Sequence, residues 1–405
     1  MNSIVKKAAI AIGLAPALAA LFLVGVVAAF AVPNDAVIKN LNDRPEVLYA
    51  RRADNGRVID ADTECIGMSI GLELSAPAAD LLHRAVKAQS LYGCAALPPY
   101  FSGSKTQKVL DYFRYWHGYL LISRPVLSVM PYNDLRGYLF TLSLGLFGWL
   151  LWRIGEDFGA KTALALAAPF VVLNAMGLMV VATKATSWFL AIGAGLYLSR
   201  RKSAEAPLLF FFILGALTAY FDFFTAPAFI FCFAAMVSAL YEIRAGRKPS
   251  WATFILSGVF WGAGWAGLIL VKIAIADALL DAPVWGNFVE AALFRVRGET
   301  ADVDSFIPGA ALYENIAAMK TFWGPVAVIA FLILPVATKA RRARWAGLVR
   351  SRSVCLGIAA TPLLWMEVFT NHTQIHAAFT QINYAPAFML AALVLAGSRA
   401  LPPTA

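Results

Sequence analysis

Charge is scarce in this chain: only 14% of its 405 residues are Asp, Glu, Lys or Arg, against 60% hydrophobic residues and a mean hydropathy of +0.68. So little polar surface excludes two or three soluble domains, which need charged exteriors, and places the chain in a membrane. Four cysteines exclude a small disulfide scaffold, and the composition excludes disordered and collagen-like classes. No internal repeat, heptad array or low-complexity tract is evident, so a duplicated transporter architecture has no support. Histidine is as rare as cysteine, with four in the chain.

What the chain has is apolar runs. A bilayer core takes about 20 apolar residues per helical span, and about ten such runs can be laid out. The first, Ala8 to Ala31, comes after Lys6 and Lys7 and ends in Ala-Phe-Ala before Val32-Pro33. It reads either as a cleaved signal or as a retained anchor, and its length favours the anchor. In both cases the chain beyond Pro33 is exported. The next run begins only near Tyr138, and further spans are expected at 138–154, 163–182, 187–199, 207–222, 226–243, 252–275, 322–338, 353–370 and 384–398. The expected fold is therefore an all-α polytopic membrane protein. Residues 1–31 form the first transmembrane helix, 32–135 an exported loop containing short helices, and 136–405 a multi-helix transmembrane domain with a second exported loop at about 276–321.

The net charge of +10 would suggest nucleic acid as a partner in a soluble protein. Here position explains it. One side of the alternation carries Arg200, Arg201 and Lys202, then Arg244, Arg247 and Lys248, then Lys339, Arg341, Arg342, Arg344, Arg350 and Arg352, as the positive-inside rule expects of the cytoplasm. The other side has only Lys184 in its shortest loops, so nucleic acid is not expected as a partner. All four histidines, His83, His117, His372 and His376, fall on that exported side, which marks it as the working face.

Several clusters there carry chemistry. Asp60, Asp62 and Glu64 bring three carboxylates within five residues, and Asp60 and Glu64 share a face if the segment is helical. The alternative is a solvated acidic turn. Helical periodicity continues from Ala76 to Tyr92. Cys65 and Cys94 lie in the same exported loop, where a bridge would hold the acidic segment still, whereas Cys232 and Cys355 fall inside spans as packing residues. Arg114, Tyr115, Trp116, His117 and Tyr119, with Arg124 just beyond them, mix aromatics and cations. The mix suits either the headgroup interface or a sugar and phosphate site. Lys184 stands in a tight turn at Thr183 to Ser187, either as a snorkelling lysine or as a phosphate contact. Asp222 stands in an aromatic stretch, as a helix cap or as a paired functional acid. Asn371, His372 and His376 form a further polar loop whose histidine pair lacks the glutamate of a zinc-protease helix, so substrate contact is the more economical use. The 276–321 segment, with Arg295, Arg297, Glu299, Asp302 and Asp304, is either a lid or a solvated surface.

One transmembrane helix, a long exported loop with acids, then many helices with short loops: this order resembles the GT-C class of integral-membrane glycosyltransferases. The segments Asp60-x-x-Thr63-Glu64, Tyr115-Trp116-His117-Gly118-Tyr119, Phe221-Asp222-Phe223-x-Thr225-x-Pro227 and Asn371-His372-x-x-Ile375-His376 are similar to uncharacterised bacterial polytopic membrane proteins of that kind. The resemblance implies transfer of a sugar from a polyprenyl-phosphate carrier to a periplasmic or cell-envelope glycan or lipid acceptor, at the outer face of the bacterial inner membrane. It implies a general base in the first loop, here Glu64 or Asp60 with Asp62 third, although the usual acid close behind the first helix would fall nearer Asp35. Chemistry independent of the family asks for cations on the donor phosphate, for which Lys184, Arg114, Arg124, Arg295 and Arg297 are available, with His372 or His376 to protonate or orient it. The sequence leaves the cofactor unknown, between none and a divalent metal, and assigns no metal ligands. The rival from another class is a transporter or flippase of a lipid-linked saccharide, and the third is a structural membrane protein.

Overall fold

The computed structural model describes residues 2–49, 61–72, 80–104, 108–173, 175–201, 205–297, 307–318, 333–334 and 337–397. Helix α1 (Asn2–Phe30) has 29 residues, and at about 1.5 Å per residue it is longer than a bilayer core is thick. Next comes a compact unit: α2 (Asn34–Leu41), α3 (Pro45–Tyr49), α4 (Ala61–Ser69), α5 (Leu81–Lys87), strand β1 (Gln89–Leu91), α6 (Leu97–Phe101), strand β2 (Val109–Asp111) and α7 (Leu120–Leu127). The helical domain then comprises α8 (Tyr132–Phe158), α9 (Ala160–Val172), α10 (Ala175–Val180), α11 (Ala182–Arg200), α12 (Leu208–Phe221), α13 (Pro227–Arg244), α14 (Trp251–Leu279), α15 (Val284–Arg297), α16 (Ala310–Ala318), α17 (Lys339–Val368), α18 (Thr370–Ile375), α19 (Ala377–Thr380) and α20 (Ala385–Ala396).

Among the described residues, five helical stretches are long and apolar enough to cross a membrane: Ser3–Phe30, Tyr132–Phe158, Pro227–Arg244, Trp251–Leu279 and Ala377–Ala396. Three shorter apolar helices accompany them, Ala160–Val172, Leu208–Phe221 and Ser353–Val368. Their packing divides them into an inner and an outer set. α13 is buried along most of its length, whereas α1, α8 and α14 leave Ile12, Leu21, Val24, Tyr138, Leu142, Ile255 and Val259 exposed. Apolar side chains arrayed along the outside of long helices belong against lipid tails, because in water such a surface would drive association. The fold is an all-α membrane protein.

Several expectations need correction. The run at 163–182 is not one span: Pro169 removes a backbone donor within α9, and the chain leaves helical geometry near Leu173 and again at Val181. The expected turn at Thr183 to Ser187 is instead the beginning of α11, which starts at Ala182. Of the helical periodicity expected from Ala76 to Tyr92, residues 76–79 lie outside the described residues, and the rest forms α5 up to Lys87, where Ala88 adopts φ 50° and the chain turns into β1. That strand pairs antiparallel with β2, with Gln89 opposite Asp111 and Leu91 opposite Val109. The segment expected as a loop at 276–321 holds the end of α14 and helices α15 and α16. Most of the span expected at 322–338 lies outside the described residues, as do Asp60, Lys202, Glu299, Asp302 and Asp304.

The helices run so that charge is segregated. α8, α11 and α13 start beside the compact unit; α11 and α13 end at Arg200 and Arg244, and α8 carries Arg153 in its C-terminal part, while α17 starts from Lys339, Arg341 and Arg342 and ends towards the compact unit. Lys7, at the start of α1, pairs with Glu205 at 2.9 Å on that same basic end.

Helices α12 and α14 pack backbone against backbone. A Cβ on Gly215 would fall on the carbonyl oxygen of Trp261, and one on Gly264 on that of Phe212, so only glycine permits this approach of two backbones. Backbone cannot yield as a side chain can. Gly215→Ala is therefore expected to cost about 1–3 kcal/mol, the range for overpacked cores, read as a lower melting temperature in detergent. Gly267→Ala on the same helix α14, where an added Cβ meets nothing within 4 Å, should leave the melt unchanged. Equal melts for the two variants would contradict the packing described.

Candidate functional site

The compact unit is seated on the bundle by one carboxylate. Glu64 on α4 is 1% exposed and accepts four hydrogen bonds: Tyr132 Oη at 2.6 Å, the backbone N–H of Ala182 at 2.8 Å, the N–H of Thr183 at 3.1 Å and Thr183 Oγ1 at 2.5 Å. It thus caps α11 from 118 residues away, where a helix N-terminus presents unsatisfied donors and positive potential. The neighbouring Cys65 is bridged to Cys94 with Cα atoms 5.0 Å apart, which fixes α4 to the turn before α6. Asp62 is exposed and accepts the Cys94 N–H at 3.3 Å.

Further along α11, Ser187 Oγ donates to Asp222 at the end of α12. Asp222 also accepts the N–H groups of Thr225 at 2.9 Å and Ala226 at 3.1 Å, which organises the turn into α13. Burial raises the Asp222 carboxyl to about 6, against the opposing pull of hydrogen bonds from Ser187, Ala226, Thr225 and Phe224. Within that turn Phe224 is held at φ 57°, a left-handed conformation that a bulky residue adopts only under constraint. His372 donates from Nε2 to the Phe224 carbonyl at 3.0 Å, and the two rings meet edge to face at 4.8 Å.

Phe224 forms one wall of a cavity of about 250 Å³. Arg114 and Tyr115 come from the compact unit, Arg295 and Phe288 from α15, Trp265, Ile269 and Leu270 from α14, and Phe369 from the residue after α17. Arg295 donates to Tyr115 Oη and lies 5.4 Å from the Phe224 ring. Arg114 Nη1 donates to Asn287 Oδ1, and its guanidinium sits 5.4 Å from the Tyr112 ring. Two cations thus face a space whose other walls are aromatic and aliphatic. Such a lining suits a ligand with one anionic group and a long apolar part.

The remaining residues singled out in the sequence are placed elsewhere. Arg124, 2% exposed, donates from Nε to Ala29 O and from Nη2 to Val32 O and Asn34 Oδ1, which ties α7 to the end of α1. Trp116 is buried with its Nε1 donating to Leu268 O at 2.8 Å. His117, also in the left-handed region at φ 58°, donates from Nε2 to Tyr112 O at 2.9 Å, and burial lowers its pKa to about 3. It is a neutral strut at physiological pH. Lys184 is buried with its ammonium 4.1 Å from the Phe379 ring, and Phe379 stacks on His376, whose ring lies 4.7 Å from that of His372. Asn371 is fully buried. Glu64 thus meets the start of α11 directly, whereas the Asn371 to His376 segment is linked to Lys184 through the Phe379 ring. The cavity itself is lined by neither Glu64 nor Lys184. Among the described residues no group of three or more His, Cys, Asp and Glu side chains is placed to hold a metal ion.

Sequence reasoning found Arg114, Tyr115 and Arg295 but missed Phe224, Trp265, Phe288 and Phe369, which look like ordinary membrane aromatics. It also missed Tyr132, whose role exists only through Glu64. No protein-family model, no curated protein and no solved structure matches this chain.

Asp222 gives the site a pH signature. Its folded pKa of about 6 lies above its ordinary 3.8, so the native state holds a proton that the unfolded chain has released, and stability falls as pH rises through that window. Asp222→Asn should remove that part of the slope between pH 4 and 6 in thermal melts. An unchanged slope would show that Asp222 does not titrate there.

Proposed function

We propose that this chain is a membrane glycosyltransferase of the GT-C kind, which passes a sugar from a polyprenyl-phosphate donor to a cell-envelope glycan or lipid acceptor. The observation that carries this reading is the convergence of Arg114 and Arg295 on a cavity otherwise lined by aromatic and aliphatic side chains beside the apolar α14. The guanidiniums hold the donor phosphate, the aromatic rings face the sugar, and the prenyl chain runs past Ile269 and Leu270 towards lipid. In the transfer, the acceptor hydroxyl oxygen bonds to the anomeric carbon while the bond from that carbon to the phosphate oxygen breaks. The polyprenyl phosphate leaves with the electron pair, and the hydroxyl proton goes to a carboxylate.

Four donors fill both oxygens of Glu64, so its assignment here is positional, and the base falls to Asp60 or Asp62 of the same segment. With the basic helix ends in the cytoplasm, the compact unit and the cavity face the periplasm of a bacterial inner membrane. The reading as a flippase of the same lipid-linked saccharide uses the same groups without bond formation. The gathering of Arg114, Arg295, His372 and Asp222 at one helix end, instead of along a central path, favours the enzyme.

Purified protein assayed with a polyprenyl-phosphate sugar and a glycan acceptor tests this. Arg114→Ala and Arg295→Ala should each weaken donor binding about 10- to 100-fold, since a charge-assisted contact contributes about 1.5–3 kcal/mol. One of Asp60→Asn and Asp62→Asn should lower turnover about 10²- to 10⁴-fold with donor binding retained. Glu64→Gln should lower thermal stability, because an amide nitrogen cannot accept from the α11 donors. Full turnover in both aspartate variants sinks the base assignment, and movement of intact lipid with no new glycosidic bond establishes the flippase.

A further inference from the structure

A second cavity opens at the opposite end of the bundle from Arg114 and Arg295. It is a cleft of about 610 Å³, and its lining includes Arg153 from α8, Arg200 and Arg201 from the end of α11, Glu242 and Arg244 from α13, and Arg247 just beyond α13. Insertion by the positive-inside rule accounts for basic residues in these loops, since it depends on their number and side. It does not account for five guanidiniums from the ends of three helices, α8, α11 and α13, lining one open cleft.

The charges there are arranged and only partly neutralised. Asp157, 8% exposed, accepts Tyr241 Oη at 2.6 Å and pairs with Arg244 at 2.6 Å and Arg153 at 3.7 Å. One carboxylate thus orients two arginines. Among the described residues the five guanidiniums face Asp157, Glu242 and, beside Arg201, a Glu205 that is itself paired with Lys7, so positive charge is in excess. The Nε of Arg153 is buried and has no hydrogen-bond partner among the described residues. A buried donor in that state is costly unless something accepts from it.

A second feature concerns depth. Arg200 lies over the Trp149 ring at 4.6 Å, and Trp149, Trp152 and Tyr197 are all exposed. Exposed Trp and Tyr at helix ends mark the headgroup level of a bilayer. Basic pockets between helices at that level suit anionic lipid headgroups, and an arginine fork matches phosphate oxygens in pairs.

We propose that this cavity is a binding site for a phosphate-bearing anion with at least two phosphate groups, seated between Arg153, Arg200, Arg201 and Arg247. The source is either the headgroup of a diphosphate-bearing anionic phospholipid entering from the bilayer or a free diphosphate from the aqueous side. The site is separate from the donor cavity, and its occupancy does not depend on whether the chain transfers sugar.

The full-length protein in neutral detergent, or in phosphatidylcholine nanodiscs, tests the site with two probes. Inorganic pyrophosphate reports the free anion, and nanodiscs doped with cardiolipin report the headgroup. A rise in melting temperature and a retained adduct in native mass spectrometry are expected with at least one probe: pyrophosphate alone identifies the soluble source, cardiolipin alone the lipid source. The double variant Arg201→Gln with Arg247→Gln should weaken that binding at least tenfold, and Arg247→Gln alone gives a milder loss should the double variant not fold. Arg341→Gln with Arg342→Gln removes equal charge at the same end outside the cavity and should leave binding intact. Absence of binding by either probe to the unmodified protein overturns the proposal. An equal loss in the Arg341 and Arg342 control also overturns it, because the attraction is then diffuse charge and not a site.

Discussion

A carboxylate withdrawn from water loses far more solvation than a single hydrogen bond returns, so a buried glutamate persists only where several donors meet it. Glu64 meets four, two of them backbone N–H groups at the start of α11. The consequences spread outward from this contact. α4 is fastened to α8 through Tyr132 and to α11 through Ala182 and Thr183, and the Cys65–Cys94 bridge extends that rigidity across the compact unit. Because α11 starts where Glu64 caps it, Lys184 lies over Phe379, and Ser187 reaches Asp222.

That placement matters for the cavity because Asp222 shapes the turn containing Phe224. The described non-glycine residues with positive φ are Ala88, His117 and Phe224. Two of them stand near the cavity, with the His117 and Phe223 rings 5.4 Å apart and Phe224 in the cavity wall. Strained backbone persists where its surroundings over-determine it, and such residues gather at functional sites. Here the Asp222 hydrogen bonds hold one and the Tyr112 carbonyl holds the other. The Gly118 N–H also donates to Tyr220 O at 2.7 Å, which pins the aromatic motif of the compact unit against the end of α12. Arg114 and Arg295 therefore project from two separate elements onto a pre-formed wall.

How much of this was legible in the sequence depends on how local each cause is. Apolar runs near 226–243 and 252–275 read directly as α13 and α14, because burial in lipid or among helices needs only the run itself. The segregation of arginines and the partnership of Cys65 with Cys94 were legible too, since each depends on residue type and on position between the apolar runs. The start of α11 was not. Thr183, Lys184 and Ser187 look like a polar turn until Glu64, far away in the chain, supplies the missing cap. Arg124 was read as a phosphate ligand because nothing local reveals that Ala29, Val32 and Asn34 already occupy it. The segment after α14 looked like a loop because its charges hide the apolar face with which α15 covers the cavity.

The two ends of the bundle differ in kind. One end presents two arginines to an apolar, aromatic cavity, and the other presents five to a polar one. The most direct measurement is an experimental density map of the protein in a nanodisc with a polyprenyl monophosphate bound. Phosphate density is expected between Arg114 and Arg295, with the prenyl chain leaving along α14 past Ile269 and Leu270. Phosphate density confined to the Arg200 and Arg244 end, with nothing beside Arg295, would contradict the proposed donor site.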